Sequence, residues 1–174
     1  LRHKVGVVFQ DPYASLDPRM RIAEIVAEPL RIQGGHGPAA RHELAAAALA
    51  EVGLAADLLD RYPHQFSGGQ RQRIAIARAL VCQPALLVCD EAVSALDAHH
   101  RAEILALLAR LKRDRGLAML FITHDFNAAR ALADRIAVME RGRIIATGTH
   151  DELTRSNPLY ARLAALQFGA GQGR

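Results

Sequence analysis

The chain has 174 residues, the length of a single domain. It is 51% hydrophobic and 23% charged, an ordinary globular composition. Its net charge of +4 is small and its basic residues are scattered with almost no aromatic interleaving, which argues against a nucleic-acid interface.

Leu1-Arg2-His3-Lys4 leads directly into a strand-like run, with no signal-peptide pattern and no initiator Met, so the sequence reads as beginning inside a longer chain. Val5 to Phe9 is short, apolar and β-branched with little alternation, as in a strand buried on both faces of a parallel sheet. Asp11-Pro12 and Asp17-Pro18 predict a loop. Ile22, Ile25, Val26 and Leu30 fall at helical spacing, and Pro29 predicts a kink or an end in that helix, which otherwise reaches about Gln33. Gly34 to Pro38 reads as loop, Ala39 to Val52 as an Ala-rich helix stopped at Gly53, and Ala55 to Arg61 as a short helix.

Beyond residue 80 the pattern alternates. Strands are expected at Leu86 to Cys89, Ala118 to Ile122, Ile136 to Met139 and Arg143 to Ala146. Helices are expected at Ala98 to Arg113 and Asp125 to Ala133, with short ones near Asp151 and Pro158. The Gly-rich end, Gly169 to Gly173, reads as a frayed tail. No apolar run reaches the roughly 18 residues that span a bilayer. Cys82 and Cys89 sit in or beside apolar sequence and read as buried, reduced thiols. An α/β core carrying a helical insertion over residues 18–80 is the simplest architecture.

Several residues invite chemistry. Ser67-Gly68-Gly69-Gln70 opens a helix. Ser67 as N-cap and Gln70 as its reciprocal partner account for capping. Two glycines go beyond capping, since each weakens a first turn by about 1 kcal/mol. They leave bare amides at the positive end of a helix dipole, an arrangement that suits an anion. Leu86 to Cys89 ends in Asp90 and Glu91. A carboxylate at the C-terminal tip of a parallel strand stands where open α/β sheets bind ligands. Asp90 suits Mg²⁺, directly or through water, and Glu91 suits orienting and deprotonating an attacking water. A merely acidic surface turn is an equally good reading of the pair taken alone. Asp97 is a good N-cap for the helix from Ala98. His124 follows a strand at the same sheet edge, and Gln10 ends another, where its amide could reach a metal-bound water.

Taken in order, these pieces resemble the nucleotide-binding subunit of ABC transporters. Gln10 matches that family's Q-loop, Ser67 to Gln70 its signature motif, Leu86 to Asp90 its Walker B strand, and Glu91 its catalytic glutamate. Ser94 to Asp97 matches the D-loop and His124 the switch histidine. Phe9 to Met20, Tyr62 to Phe66 and Cys89 to Asp97 are similar to the oligopeptide, dipeptide and nickel importer branch, apart from Ala92, where that branch usually has Pro.

The resemblance implies a partial P-loop NTPase (RecA-like) core with an ABC-specific all-helical subdomain inserted. It places a core strand and Q-loop at 1–17, the helical subdomain at 18–80, the remaining core at 81–168 and a flexible tail at 169–174. It implies ATP and Mg²⁺ as ligands, with Asp90 and Gln10 at the metal and Glu91, His124 and Gln10 in catalysis. Ser67, Gly68, Gly69, Gln70 and Asp97 would contact nucleotide across a head-to-tail dimer of two such subunits. The helical segment would dock against membrane-spanning permease subunits, at the cytoplasmic face of the membrane. No G-x-x-x-x-G-K-[ST] phosphate loop occurs in the 174 residues. The expectation is therefore an ATP hydrolase whose intact parent drives transport, while this stretch alone is inactive. Two rivals stand beside it: an ABC ATPase acting on nucleic acid or ribosomes, and a non-catalytic relic that completes a partner's ATP site.

Overall fold

The computed structural model describes residues 4–169. The polypeptide divides into two compact units at Ile122 and Thr123, inside the stretch 81–168 that the sequence reading treats as continuous.

The first unit is built on a three-stranded parallel sheet of β1 (Val5–Val8), β2 (Leu86–Asp90) and β3 (Ala118–Ile122), in that spatial order. The register sets Val7 beside Val88 beside Leu120. Two crossovers join the strands. The first is long and helical: α1 (Pro12–Ser15), α2 (Ile22–Gln33), α3 (Pro38–Glu51) and α4 (Gly68–Leu80), with 3₁₀ turns at Ala56–Asp60 and Pro63–Gln65. The second is α5 (Ala98–Arg115), stopped by Gly116 in the left-handed region. The loop expected after Gln10 thus contains one turn of helix, with Asp11 as its N-cap and Pro12 at its start.

Pro29 neither ends nor interrupts α2, which runs on to Gln33. Pro29 offers no N–H to the preceding turn, but Ile22, Ile25, Val26 and Leu30 are all buried around it, and their packing holds the helix. α4 is the hub of this unit. It packs on α2, α3 and β1, and three of its arginines each bond a backbone carbonyl of a different segment: Arg71 to Pro63 (2.8 Å), Arg73 to Val52 (2.8 Å) and Arg78 to Ser15 (2.5 Å). Gly6 allows the close approach of α4 to β1. A Cβ there would lie 2.4 Å from the Ala79 carbonyl oxygen.

The sheet's two faces differ sharply. Gly6, Val8, Leu87 and Cys89 are buried on one. On the other, Val5, Val7, Leu120 and Ile122 are 38%, 36%, 52% and 47% exposed. Burial pushes the Cys89 thiol up to about 12, so it is an inert core group. Cys82 is only half-buried, and both cysteines are free thiols.

The second unit holds α6 (Phe126–Leu132), β4 (Ile136–Glu140), β5 (Arg143–Gly148), α7 (His150–Ser156) and α8 (Pro158–Gly169). β4 and β5 form an antiparallel hairpin closed by Arg141-Gly142, with φ of +48° and +77°, the left-handed pair that two-residue hairpin turns require. Leu153, Tyr160 and Ala164 form its core, with Phe126, Ile136, Val138 and Ala146 packed against them. Gly169 ends α8, and the rest of the expected tail, 170–174, lies outside the described residues. Among the described residues, no helix is long and apolar enough to cross a membrane.

Candidate functional site

Three parallel strands present their C-terminal ends at one edge, and Gln10, Asp90 and Glu91 stand there. β2 ends in Asp90, which is exposed and sits beside Ile122 of β3. Glu91 follows with φ +46°, in the left-handed region that a residue with a side chain seldom occupies. Its backbone is fixed from both sides. Glu91 N donates to the Ile122 carbonyl (3.0 Å), and the Glu91 carbonyl accepts from Ser94 N (3.0 Å) and Ser94 Oγ (2.9 Å). Gln10, two residues beyond β1, donates from Nε2 to Glu91 Oε2 at 3.0 Å. These two groups lie 81 positions apart in the chain, and only the parallel pairing of β1 with β2 brings them together. Strain at a chemically competent residue, held by surrounding bonds, is common at functional sites.

The tip of α4 is the second element. Ser67 N donates to Gln70 Oε1 (3.0 Å), and Ser67 Oγ accepts from Gln70 N (3.3 Å), a complete capping box. Arg71 N bonds the Ser67 carbonyl at 2.9 Å. Capping therefore uses the amides of Gln70 and Arg71, while those of Gly68 and Gly69 have no bond among the described residues. The two glycines are not equivalent. A side chain at Gly68 would meet only Leu96, at 3.9 Å, whereas one at Gly69 would run into the His100 ring. Packing alone thus accounts for Gly69, where sequence reasoning assigns both glycines to a ligand.

Asp97 caps α5 and accepts from His100 N at 3.0 Å. Its other oxygen lies 2.6 Å from His100 Nδ1. The backbone bond from His100 and then the ring hold this carboxyl below the usual carboxylate range. His100 is the residue that sequence reasoning missed. Its only signal is a bulky side chain three places after an N-cap, which many helices share.

His124 belongs to the second unit, two residues past the end of β3. It is exposed, and its carbonyl accepts from Gln167 Nε2 at 2.9 Å. Asp125 caps α6 through Asn127 N and Ala128 N.

For a divalent cation, the donors of the first unit are oxygen: the Asp90 carboxylate and the Gln10 amide oxygen, since the Gln10 nitrogen is taken by Glu91. Among the described residues no cluster of three His, Cys, Asp or Glu could hold a metal alone. That fits Mg²⁺, which uses one or two carboxylates and completes its shell with water and substrate phosphate.

A family model described as ABC transporter matches residues 1–94, more than half of the 174. The chain belongs to the ABC transporter family. The matched stretch includes Gln10, Ser67 to Gln70, Asp90 and Glu91. Oligopeptide transport ATP-binding protein OppF of Escherichia coli is 47% identical over 169 residues, covering 95% of this chain and 50% of that protein. Dipeptide transport ATP-binding protein DppF of the same organism is 45% identical over 165 residues, covering 95% of this chain and 49% of that protein. A putative peptide import ATP-binding protein of Brucella abortus is 46% identical over 166 residues, with 95% and 49% covered. The chain thus spans about half the length of the curated relatives it matches. Among solved structures, a dimeric, post-hydrolysis ATP-binding cassette bound to ADP and Pi is similar at 33% identity and a TM-score of 0.71, covering 84% of this chain and 62% of that one. In this ABC transporter chain the parallel sheet with a helical segment inserted between β1 and β2 is a partial P-loop NTPase core.

Proposed function

We propose that this chain is the working half of an ATP-hydrolysing subunit of an ABC importer for peptides, joined head to tail with a second such subunit and docked on membrane-spanning permease subunits at the cytoplasmic face. The observation that carries the reading is the Gln10–Glu91 hydrogen bond at the C-terminal edge of the parallel sheet. It ties a carboxylate able to deprotonate water to an amide able to face a metal-bound water, at the place where such sheets bind ligands. The names of the peptide-transport relatives support the substrate class, and the dimeric neighbour with ADP and Pi supports nucleotide and pairing.

In this reading Glu91 takes the proton of the attacking water, and Gln10 orients the Glu91 carboxylate through its amide N–H. Asp90 and the Gln10 oxygen would hold Mg²⁺, which would supply charge neutralisation for the phosphates. For His124, in the second unit, the family resemblance alone supports a role at the γ-phosphate. The Gly68 and Gly69 amides, with Ser67 and Gln70 shaping the tip, stabilise charge on the triphosphate held by the partner, and Asp97 lies across the same interface. The chemistry asks mainly for positioning and fixed dipoles, and capped helix tips and strand ends supply these. The family's phosphate-cradling loop is not encoded between residues 1 and 174, so the hydrolysing unit is this stretch together with such a loop.

The test is phosphate release by the full encoded chain assembled with its permease. Glu91→Gln should lower turnover by about 100- to 10,000-fold, the usual weight of a general base, while ATP still binds. Turnover within a few-fold of wild type would remove Glu91 from the chemistry and with it this reading.

A further inference from the structure

The segment Leu96 to His100 lies over the first turn of α4, one side chain on each glycine. A Cβ built on Gly68 would stand 3.9 Å from Leu96 Cδ2, an ordinary contact. A Cβ built on Gly69 would stand 2.4 Å from His100 Cδ2 and 3.0 Å from its Cγ, so the imidazole rests directly on the Gly69 α-carbon. The ring is fixed from its other side. Asp97 Oδ2 lies 2.6 Å from Nδ1, and Asp97 Oδ1 accepts from the backbone N–H of the same His100 at 3.0 Å. One turn further on, Arg73 of α4 reaches Glu103 of α5 at 3.2 Å, so the two helices are tied at a second point.

Resting on the reading above, in which the Gly68 and Gly69 amides meet the partner's triphosphate, we propose that His100 is a positioning residue. It locks the amide-bearing tip of α4 to the Asp97 segment, and Gly69 lacks a side chain in order to receive the imidazole, not in order to admit phosphate. The distinction is physical. Phosphate would be met by the Gly69 N–H, and alanine keeps that N–H. What alanine adds is a methyl group aimed at His100. Alanine is also the better helix former, so nothing in the helix itself asks for glycine at this position. A tip held to a fraction of an ångström presents its dipoles already oriented, and one that floats must reorganise each time the interface closes.

The experiment is a double-mutant cycle in the full encoded chain assembled with its permease. Gly69→Ala should lower kcat by about tenfold or more and depress the melting temperature, because methyl and ring cannot share the space. His100→Ala should lower kcat several-fold with the KM for ATP changed by less than about twofold, the mark of an interaction made in the transition state. Gly69→Ala/His100→Ala should recover to the level of His100→Ala in both melt and kcat. His100→Asn, whose side-chain N–H can stand where Nδ1 stands, should regain most of the kcat lost in His100→Ala.

A double variant as inactive as Gly69→Ala overturns the proposal, since the missing side chain would then serve the phosphate. A Gly69→Ala protein as active as wild type overturns it too, because the ring would not be fixed. A His100→Ala protein with a lowered melt and unchanged kcat leaves a packing role only and overturns the positioning role. The melts need no nucleotide. They read the Gly69–His100 contact even if the wild type hydrolyses no ATP, a result that would sink the functional reading separately.

Discussion

Glu91 carries strain that its neighbours hold in place. A non-glycine residue at φ +46° costs about 1–2 kcal/mol relative to ordinary backbone. The bonds to Ile122 and Ser94 hold it there. Glu91→Gly should therefore raise thermal stability by up to about 1 kcal/mol, seen as a melting temperature roughly 2–4 °C higher, while ending hydrolysis. Glu91→Gln keeps the strain and should melt within a degree or so of wild type. An unchanged or lower melt for the glycine variant would mean that the Gln10 bond, not the backbone, dominates at this position. Asp97 gives a pH signature. Its carboxyl is held below the usual range by the backbone and ring of His100. A folded pKa below the unfolded one stabilises the fold above the unfolded value, about 3.9, and that contribution is lost as pH falls through the folded value. Wild type should thus melt above Asp97→Ala at pH 6, and the gap should narrow as pH falls below the unfolded value of about 3.9 towards the lower folded one. A gap that does not narrow at all as pH falls below about 3.9 would show that the carboxylate charge is not what caps α5.

At the scale of elements, two contacts decide how α4 sits. Its N-terminus depends on the Ser67–Gln70 box, and Ser67→Ala should destabilise the first unit by about 1 kcal/mol in denaturant titration. Its C-terminal end depends on Gly6, where a methyl group would meet the Ala79 carbonyl oxygen at 2.4 Å. Backbone cannot step aside as a flexible side chain can, so Gly6→Ala should cost about 1–3 kcal/mol, more than the cap. The reverse order would mean that the sheet gives way more easily than the helix tip.

Legibility follows the same division between local and distant causes. β3 at Ala118–Ile122 and the capping box at Ser67 were readable because hydrophobic runs and cap spacing are local signals. Pro29 does not end α2, because packing against α3 and α4, absent from any local window, outweighs its missing N–H. The resemblance gives Gln10 and Glu91 separate roles, and the bond between them was not legible, since nothing near either residue announces the other. The reason for Gly69 was invisible for the same cause: the group that needs the space is on a different helix.

For the molecule as a whole, the unequal faces of the parallel sheet matter most. Parallel sheets are ordinarily covered on both sides. Here α4 covers Gly6 and its neighbours on one side, while Val5 and Val7 of β1 and Leu120 and Ile122 of β3 are exposed on the other, either side of β2. Val88 of β2, between Val7 and Leu120 in the register, is half-buried. The two faces should respond oppositely to substitution in the 174-residue chain. Leu87→Ala removes a fully buried side chain and should cost about 2–4 kcal/mol. Leu120→Thr removes exposed apolar surface, and its cost should stay within about 0.5 kcal/mol. The same bare face should bind a hydrophobic dye such as anilinonaphthalene sulfonate in the native state, because contiguous exposed apolar surface is what such dyes report. Combining Val7→Thr with Leu120→Thr should cut that fluorescence by about half or more without shifting the melt, since the opposite face holds the fold. A double variant with undiminished fluorescence, or one that melts as low as Leu87→Ala, would show that this face is already covered in solution.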